Sequence, residues 1–187
     1  MESPATPGKL LTAEQFFALP NDGVPWELDR GRIITLQPVP PPEHSYHSGL
    51  IFDWVGEFAN EHDEGRIFND NCRVVTERNP DTVRAPDITY YSYKRLPKGR
   101  LPEGNLAIVP DAAFEVRFVN DFWPRRIQRI NEMFKVGVLV VAVLDPLSDS
   151  MMICRKNMPP RVLFEGDVLT LPEVLPGFEL PIARFFE

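Results

Sequence analysis

Apolar and polar positions recur along this chain with two different periods, and the changeovers divide it into elements. Thr12 is a good N-cap, Gln15 completes a capping box, and Leu11 with Phe16 makes a hydrophobic staple. Ala13 to Leu19 is therefore predicted as a short helix ended by Pro20. Asn21-Asp22-Gly23 is turn chemistry, and Trp26 to Leu36 reads as a hairpin of two strands joined at Arg30-Gly31. Pro38 and Pro40 to Pro42 give a rigid extended connector. From His44 to His62 the residues Leu50, Ile51, Trp54, Val55 and Phe58 fall at helical spacing, which predicts the longest helix.

Beyond Gly65 the period shortens. Arg66 to Phe68 and Cys72 to Thr76 read as strands, and Asn79-Pro80-Asp81 turns the chain into a further strand from Arg84 to Tyr91. Lys94 to Gly104 is a surface loop of basic flavour, and Asp111 to Phe118 is the next strand. Pro124 suits the first turn of a helix reaching about Val136, with Ile127, Ile130 and Phe134 as its buried face. Val138 to Leu144 is β-branched enough for a central strand, Met151 to Arg155 and Arg161 to Phe164 read as edge strands, and Leu180 to Phe186 takes no clear assignment. Residues 1–9, with Pro4, Pro7 and Gly8, form a loose tail; residues 10–187 form one unit in which strands are flanked by two helices, an α/β or α+β fold.

Composition adds bounds rather than elements. With 187 residues, 43% of them hydrophobic and 25% charged, the chain can bury a proper core as a soluble globular protein. A formal net charge of −7 argues against coating nucleic acid by bulk electrostatics, so any contact with DNA has to be local. The only cysteines, Cys72 and Cys154, form no CxxC pair and no secretory segment follows a basic start, which implies a reducing cytoplasm. The apolar run Val136 to Leu144 is interrupted by Gly137 and is too short to span a membrane.

Two acids carry the candidate chemistry. Asp87 in Pro86-Asp87 and Glu115 in Glu115-Val116-Arg117 each stand beside a short apolar run that reads as a strand. Buried carboxylates are costly unless a cation or hydrogen-bond donors compensate them. A hard divalent ion is one explanation, and a fixed ion pair with Arg117, Arg84 or Arg129 is the other. Glu27 suits either a metal role or a cross-hairpin pair with Arg30 or Arg32. His44 either meets the cleft or makes a local bond at its helix end; His44 and His47 lack a third soft ligand, so zinc is not expected. Arg125, Arg126, Arg129 and Lys135 share one helix, where Arg126 and Arg129 either contact phosphates or line a solvated face. No GxSxG elbow occurs, and Gly99 to Gly104 lacks the Lys-Ser/Thr ending of a phosphate loop.

Taken in order, Leu11 to Phe16, Trp26-Glu27-Leu28 with Gly31-Arg32-Ile33, Pro42-Glu43-His44, Pro86-Asp87-Ile88, Pro110-Asp111 with Glu115-Val116, Gly137-Val138 and Leu144-Asp145-Pro146 resemble the Uma-two family of supposed restriction endonucleases. That family looks like a branch of the PD-(D/E)XK nuclease superfamily, and the match runs from about Leu10 to Phe186. The resemblance implies a restriction-endonuclease-like mixed central sheet flanked by helices, a homodimer, and Mg²⁺-dependent hydrolysis of DNA phosphodiester bonds, with Mn²⁺ as a possible substitute. By position it makes Asp87 and Glu115 metal-binding acids and Glu27 an assisting acid, acting directly or through water. The superfamily's lysine, two residues after the glutamate or displaced onto the following helix, is here Arg117 or Arg129. Arginine stays charged and cannot act as a base, so these residues would serve only to position and to stabilise phosphate charge. A competing reading follows from that replacement: a degenerate member that binds nucleic acid or a protein partner without cleavage. The stretch Phe118-Val119-Asn120-Asp121-Phe122-Trp123 is bulkier and more aromatic than the family pattern.

Overall fold

A computed structural model describes residues 10–20, 26–35, 41–69, 72–119 and 121–187. The expected tail, the turn at Asn21-Asp22-Gly23, Leu36 and the connector at Pro38 and Pro40 lie outside these residues.

The chain begins with α1 (Ala13–Phe17), whose N-cap Thr12 and N3 residue Gln15 form the expected capping box. The hairpin follows as β1 (Trp26–Asp29) and β2 (Arg32–Thr35), turning through Arg30 and Gly31, both at positive φ. Pro42 opens α2 (Pro42–Glu61), the longest helix. Next come β3 (Gly65–Asn69), β4 (Val74–Glu77), β5 (Thr82–Arg84), β6 (Ile88–Ser92) and β7 (Ala112–Val116). The strand expected over Arg84 to Tyr91 is thus two strands in two different sheets. Ala85-Pro86-Asp87 separates them, consistent with a proline that has no N–H to give a ladder.

Then α3 (Trp123–Val136) carries Pro124 in its first turn and ends on Gly137, whose left-handed backbone (φ 104°) suits glycine. It is the crossover to β8 (Val140–Asp145), which lies parallel to β7. β9 (Ser150–Arg155), β10 (Arg161–Leu163), β11 (Val168–Leu171), β12 (Leu175–Pro181) and a closing 3₁₀ turn, Ile182–Phe185, complete the order. β9 is not an edge strand as expected, because β10 pairs along its far side.

One sheet has the order β10-β9-β8-β7-β6-β3 and a second the order β2-β1-β5-β4, while β11 and β12 pair apart. β7 and β8 are buried along their whole length, as the middle strands of a covered sheet should be. Alternation sorts their side chains: Ala112, Phe114, Val116, Val140, Ala142 and Leu144 join a core with α2 residues Ile51 and Val55. Ala113, Val141 and Val143 instead pack with Ile130, Met133 and Phe134 of α3. The small sheet closes over α1 through Leu28 and Val83. α3 packs against β4 as well as the large sheet, so it is covered on two sides. That explains a second correction: Ile127 is 38% exposed, whereas Arg126, Arg129 and Glu132 are buried with Ile130 and Phe134.

Candidate active site

β6 and β7 run antiparallel with Ile88 opposite Phe114 and Thr89 opposite Ala113. Continued by one residue, that register sets Asp87 against Glu115 at the end of the pair. Opposed residues of adjacent strands have their Cβ atoms about 5 Å apart, which is how the sheet brings together two acids far apart in sequence. Glu115 alternates with Phe114 and Val116 and so takes the α3 side of the sheet.

Each carboxylate has its own partners. Asp87 Oδ2 accepts from the Val116 amide at 2.7 Å and lies 3.2 Å from His44 Nε2, on the first turns of α2. Burial works to raise the Asp87 carboxyl, but His44, the Val116 amide and Arg126 outweigh it and hold it below the usual range. Burial alone would lower His44, yet its bond and charge interaction with Asp87 raise it. The Asp87 side chain keeps 23% exposure, whereas Glu115 is 3% exposed. Arg126 bonds Glu115 Oε2, and Arg129 donates to Oε1 at 3.4 Å. Burial pushes the Glu115 carboxyl up against the pull of these two guanidinium groups.

The arginines are tethered from behind. Arg126 Nε donates to Asp121 at 2.8 Å, and a second guanidinium nitrogen of Arg126 bonds the same carboxylate oxygen. Arg129 also bonds Glu27, which is fully buried and additionally accepts from the Ala85 amide at 2.8 Å and from Arg84 at 3.4 Å. Arg84 in turn donates to Glu132 at 2.6 and 3.1 Å and to Asp29 at 2.8 Å. One network of ion pairs thus runs from the small sheet, through α3, to the end of the large sheet.

Of the residues singled out in sequence, Asp87, Glu115, Glu27, His44, Arg126 and Arg129 come together. Arg117 does not face the acids. It follows the last residue of β7, donates to Asp145 at 2.7 Å, and lies over the Trp123 ring at 5.0 Å. Glu27 bonds neither Arg30 nor Arg32, and Arg126 and Arg129 form no solvated face. Arg84, named in sequence as a partner of Asp87 or Glu115, instead pairs with Glu27, Asp29 and Glu132. Asp121 and Glu132 escaped the sequence reading, although Arg126, Arg129 and Glu132 at i, i+3 and i+6 mark one charged helix face. Among the described residues, no group of three or more His, Cys, Asp or Glu is placed to hold a metal ion, and no helix is long and apolar enough to cross a membrane.

A family model described as "Uma2: Putative restriction endonuclease" matches residues 13–183. Among solved structures, the chain is similar to the crystal structure of a "putative nuclease belonging to DUF820" from Anabaena variabilis, with a TM-score of 0.79 and 21% identity over 94% of this chain and 97% of that one. No curated protein matches. The mixed sheets and flanking helices are accordingly those of a nuclease-like fold.

Proposed function

The chain belongs to the Uma2 family, and from that premise we propose that it hydrolyses phosphodiester bonds in DNA with the help of a divalent metal, Mg²⁺ or Mn²⁺, at Asp87 and Glu115. The observation that carries this reading is the placing of the two acids opposite each other at the end of β6 and β7, ringed by His44, Arg126 and Arg129.

The donor set suits a hard cation. Mg²⁺ is commonly held by one or two carboxylates, with waters and substrate phosphate oxygens filling its other positions. Asp87 is partly open, and each ionised carboxylate oxygen has further lone pairs beyond the bonds described. Asp87 and Glu115 would hold the ion. Bound there, it would supply a charge sink for the attacked phosphate and acidify a water.

The chain's own residues do the rest. His44 and the Val116 amide fix the Asp87 carboxylate at Oδ2. Arg126 and Arg129 oppose the burial that pushes the Glu115 carboxyl up and would meet the negative charge that grows on the phosphate oxygens. Neither can take a proton from water, so they position and stabilise only. Glu27, fully buried and bonded to Arg129, Arg84 and the Ala85 amide, anchors Arg129 from behind. Arg117 braces the loop after β7 against Asp145, the role that replaces its expected phosphate contact.

The engagement of both Glu115 oxygens by guanidinium groups favours a second reading, a protein that keeps the fold and binds without cleaving. Plasmid cleavage with Mg²⁺ or Mn²⁺ decides between them. Wild type should nick or linearise the plasmid and Asp87→Ala and Glu115→Ala should not, with calorimetric metal binding lost in Asp87→Ala. Absence of cleavage together with undiminished metal binding in Asp87→Ala would overturn the proposal.

A further inference from the structure

Val119 and Phe122 are 73% and 74% exposed, the two most exposed large hydrophobic residues among those described. Both belong to the loop joining β7 to α3, which follows Glu115 in sequence and touches the site through Phe118, against His44, and Asp121, on Arg126. Among the described residues, nothing covers either side chain. Their setting is nevertheless fixed. Phe118 meets the His44 ring edge-on at 5.7 Å, Asp121 holds Arg126, and the Asp121 carbonyl accepts from Arg117 at 3.4 Å. Trp123 already has Arg117 over its face. From the neighbouring β8–β9 turn, Leu147 is 56% exposed and its amide donates to Asp145, the carboxylate that also accepts from Arg117.

Three such side chains offer at most a few hundred Å² of apolar surface. A stable protein interface takes about 800 Å² from each partner, so this patch alone is too small for a second copy. A net charge of −7 also opposes gripping any nucleic-acid strand through its phosphates alone, so affinity has to come from another contact. A ligand that can settle on an acidic protein beside a phosphate-handling site is one that offers a flat apolar face. Unpaired bases do so, and stack on aromatic side chains whatever their sequence.

We infer that Phe122, flanked by Val119, is a stacking platform for an unpaired base next to the phosphate at Asp87 and Glu115, so that the chain takes single-stranded DNA in preference to intact duplex. This rests on the function proposed above for the same site. Stacking on one aromatic platform makes its loss worth roughly 10-fold in affinity.

Fluorescence anisotropy of a labelled oligothymidylate and of a labelled duplex, in chelator so that nothing is cut, tests it. Wild type should bind the single strand more tightly than the duplex, Phe122→Ala should lose roughly 10-fold on the single strand, and Phe122→Trp should keep it. The same loss on an Asp87→Ala background shows that the platform works even where cleavage fails. Unchanged single-strand affinity in Phe122→Ala overturns the inference, and leaves the nuclease reading standing if the plasmid is still cut. So does a dimer that dissociates on Phe122→Ala while single-strand affinity is unaltered, which would assign the patch to a second copy.

Discussion

Glu115 sits between two guanidinium groups while Asp87, beside it, is held by a histidine and an amide, so one pair of acids lives in two electrostatic settings. The second setting predicts a pH dependence. The raised His44 contributes stability that is fully present below its unfolded value of 6.5 and is lost as pH rises through its higher folded value. The depressed Asp87 contributes stability that is present above 3.8 and is lost as pH falls through its lower folded value. The stability difference between wild type and His44→Gln should therefore be greatest between pH 3.8 and 6.5 and shrink on either side. Urea titrations across that range check it, and a difference that is flat from about pH 4 to 8 would remove the ion pair from the account. Asp87 and Glu115 were legible in the sequence because each stands beside an apolar run. The pairing of Arg117 was not, since nothing in Glu115-Val116-Arg117 says that β7 stops at Val116 and frees the next side chain to turn to Asp145.

Elements with one buried stripe were read well, as α1 with its capping box and α2 with its apolar spacing show. Elements with two partners were not: α3 buries charged residues against the small sheet, a contact that hydrophobic period does not record. For the same reason β9 looked like an edge, because alternation cannot say whether a further strand pairs beyond it. Glycine placement shows a tighter constraint at element scale. β3 starts at Gly65, where an added Cβ would stand 2.3 Å from the Tyr91 carbonyl oxygen and 2.6 Å from the Tyr90 hydroxyl. A ladder carbonyl cannot yield as a side-chain end can, so Gly65→Ala should cost about 1–3 kcal/mol. Thermal unfolding measures that cost, and amide exchange should quicken first along Gly65–Asn69. A variant as stable as wild type would show that β3 shifts without penalty.

Across the whole molecule, the two sheets share no strand and are joined through α3 by Arg129, which reaches Glu27 on one side and Glu115 on the other, and by Arg84 with Glu132. Removing one partner of a buried ion pair leaves the other charge uncompensated, at about 3–5 kcal/mol. Glu27→Gln should lose stability on that scale and speed amide exchange in β1, β2 and β5 more than in β7 and β8. A loss below about 1 kcal/mol in chemical denaturation would mean the small sheet is held by its apolar contacts alone. This bridge was beyond the sequence, since Glu27 and Arg129 stand 102 residues apart. It also bears on any attempt to rebuild a lysine-bearing site in this protein. Arg129 serves its two carboxylates from different nitrogens, and a lysine has only one. An Arg129→Lys exchange would have to draw Glu27 and Glu115 together onto that one nitrogen or let one of them go, so restoring the base means repositioning the acid behind it in the same step.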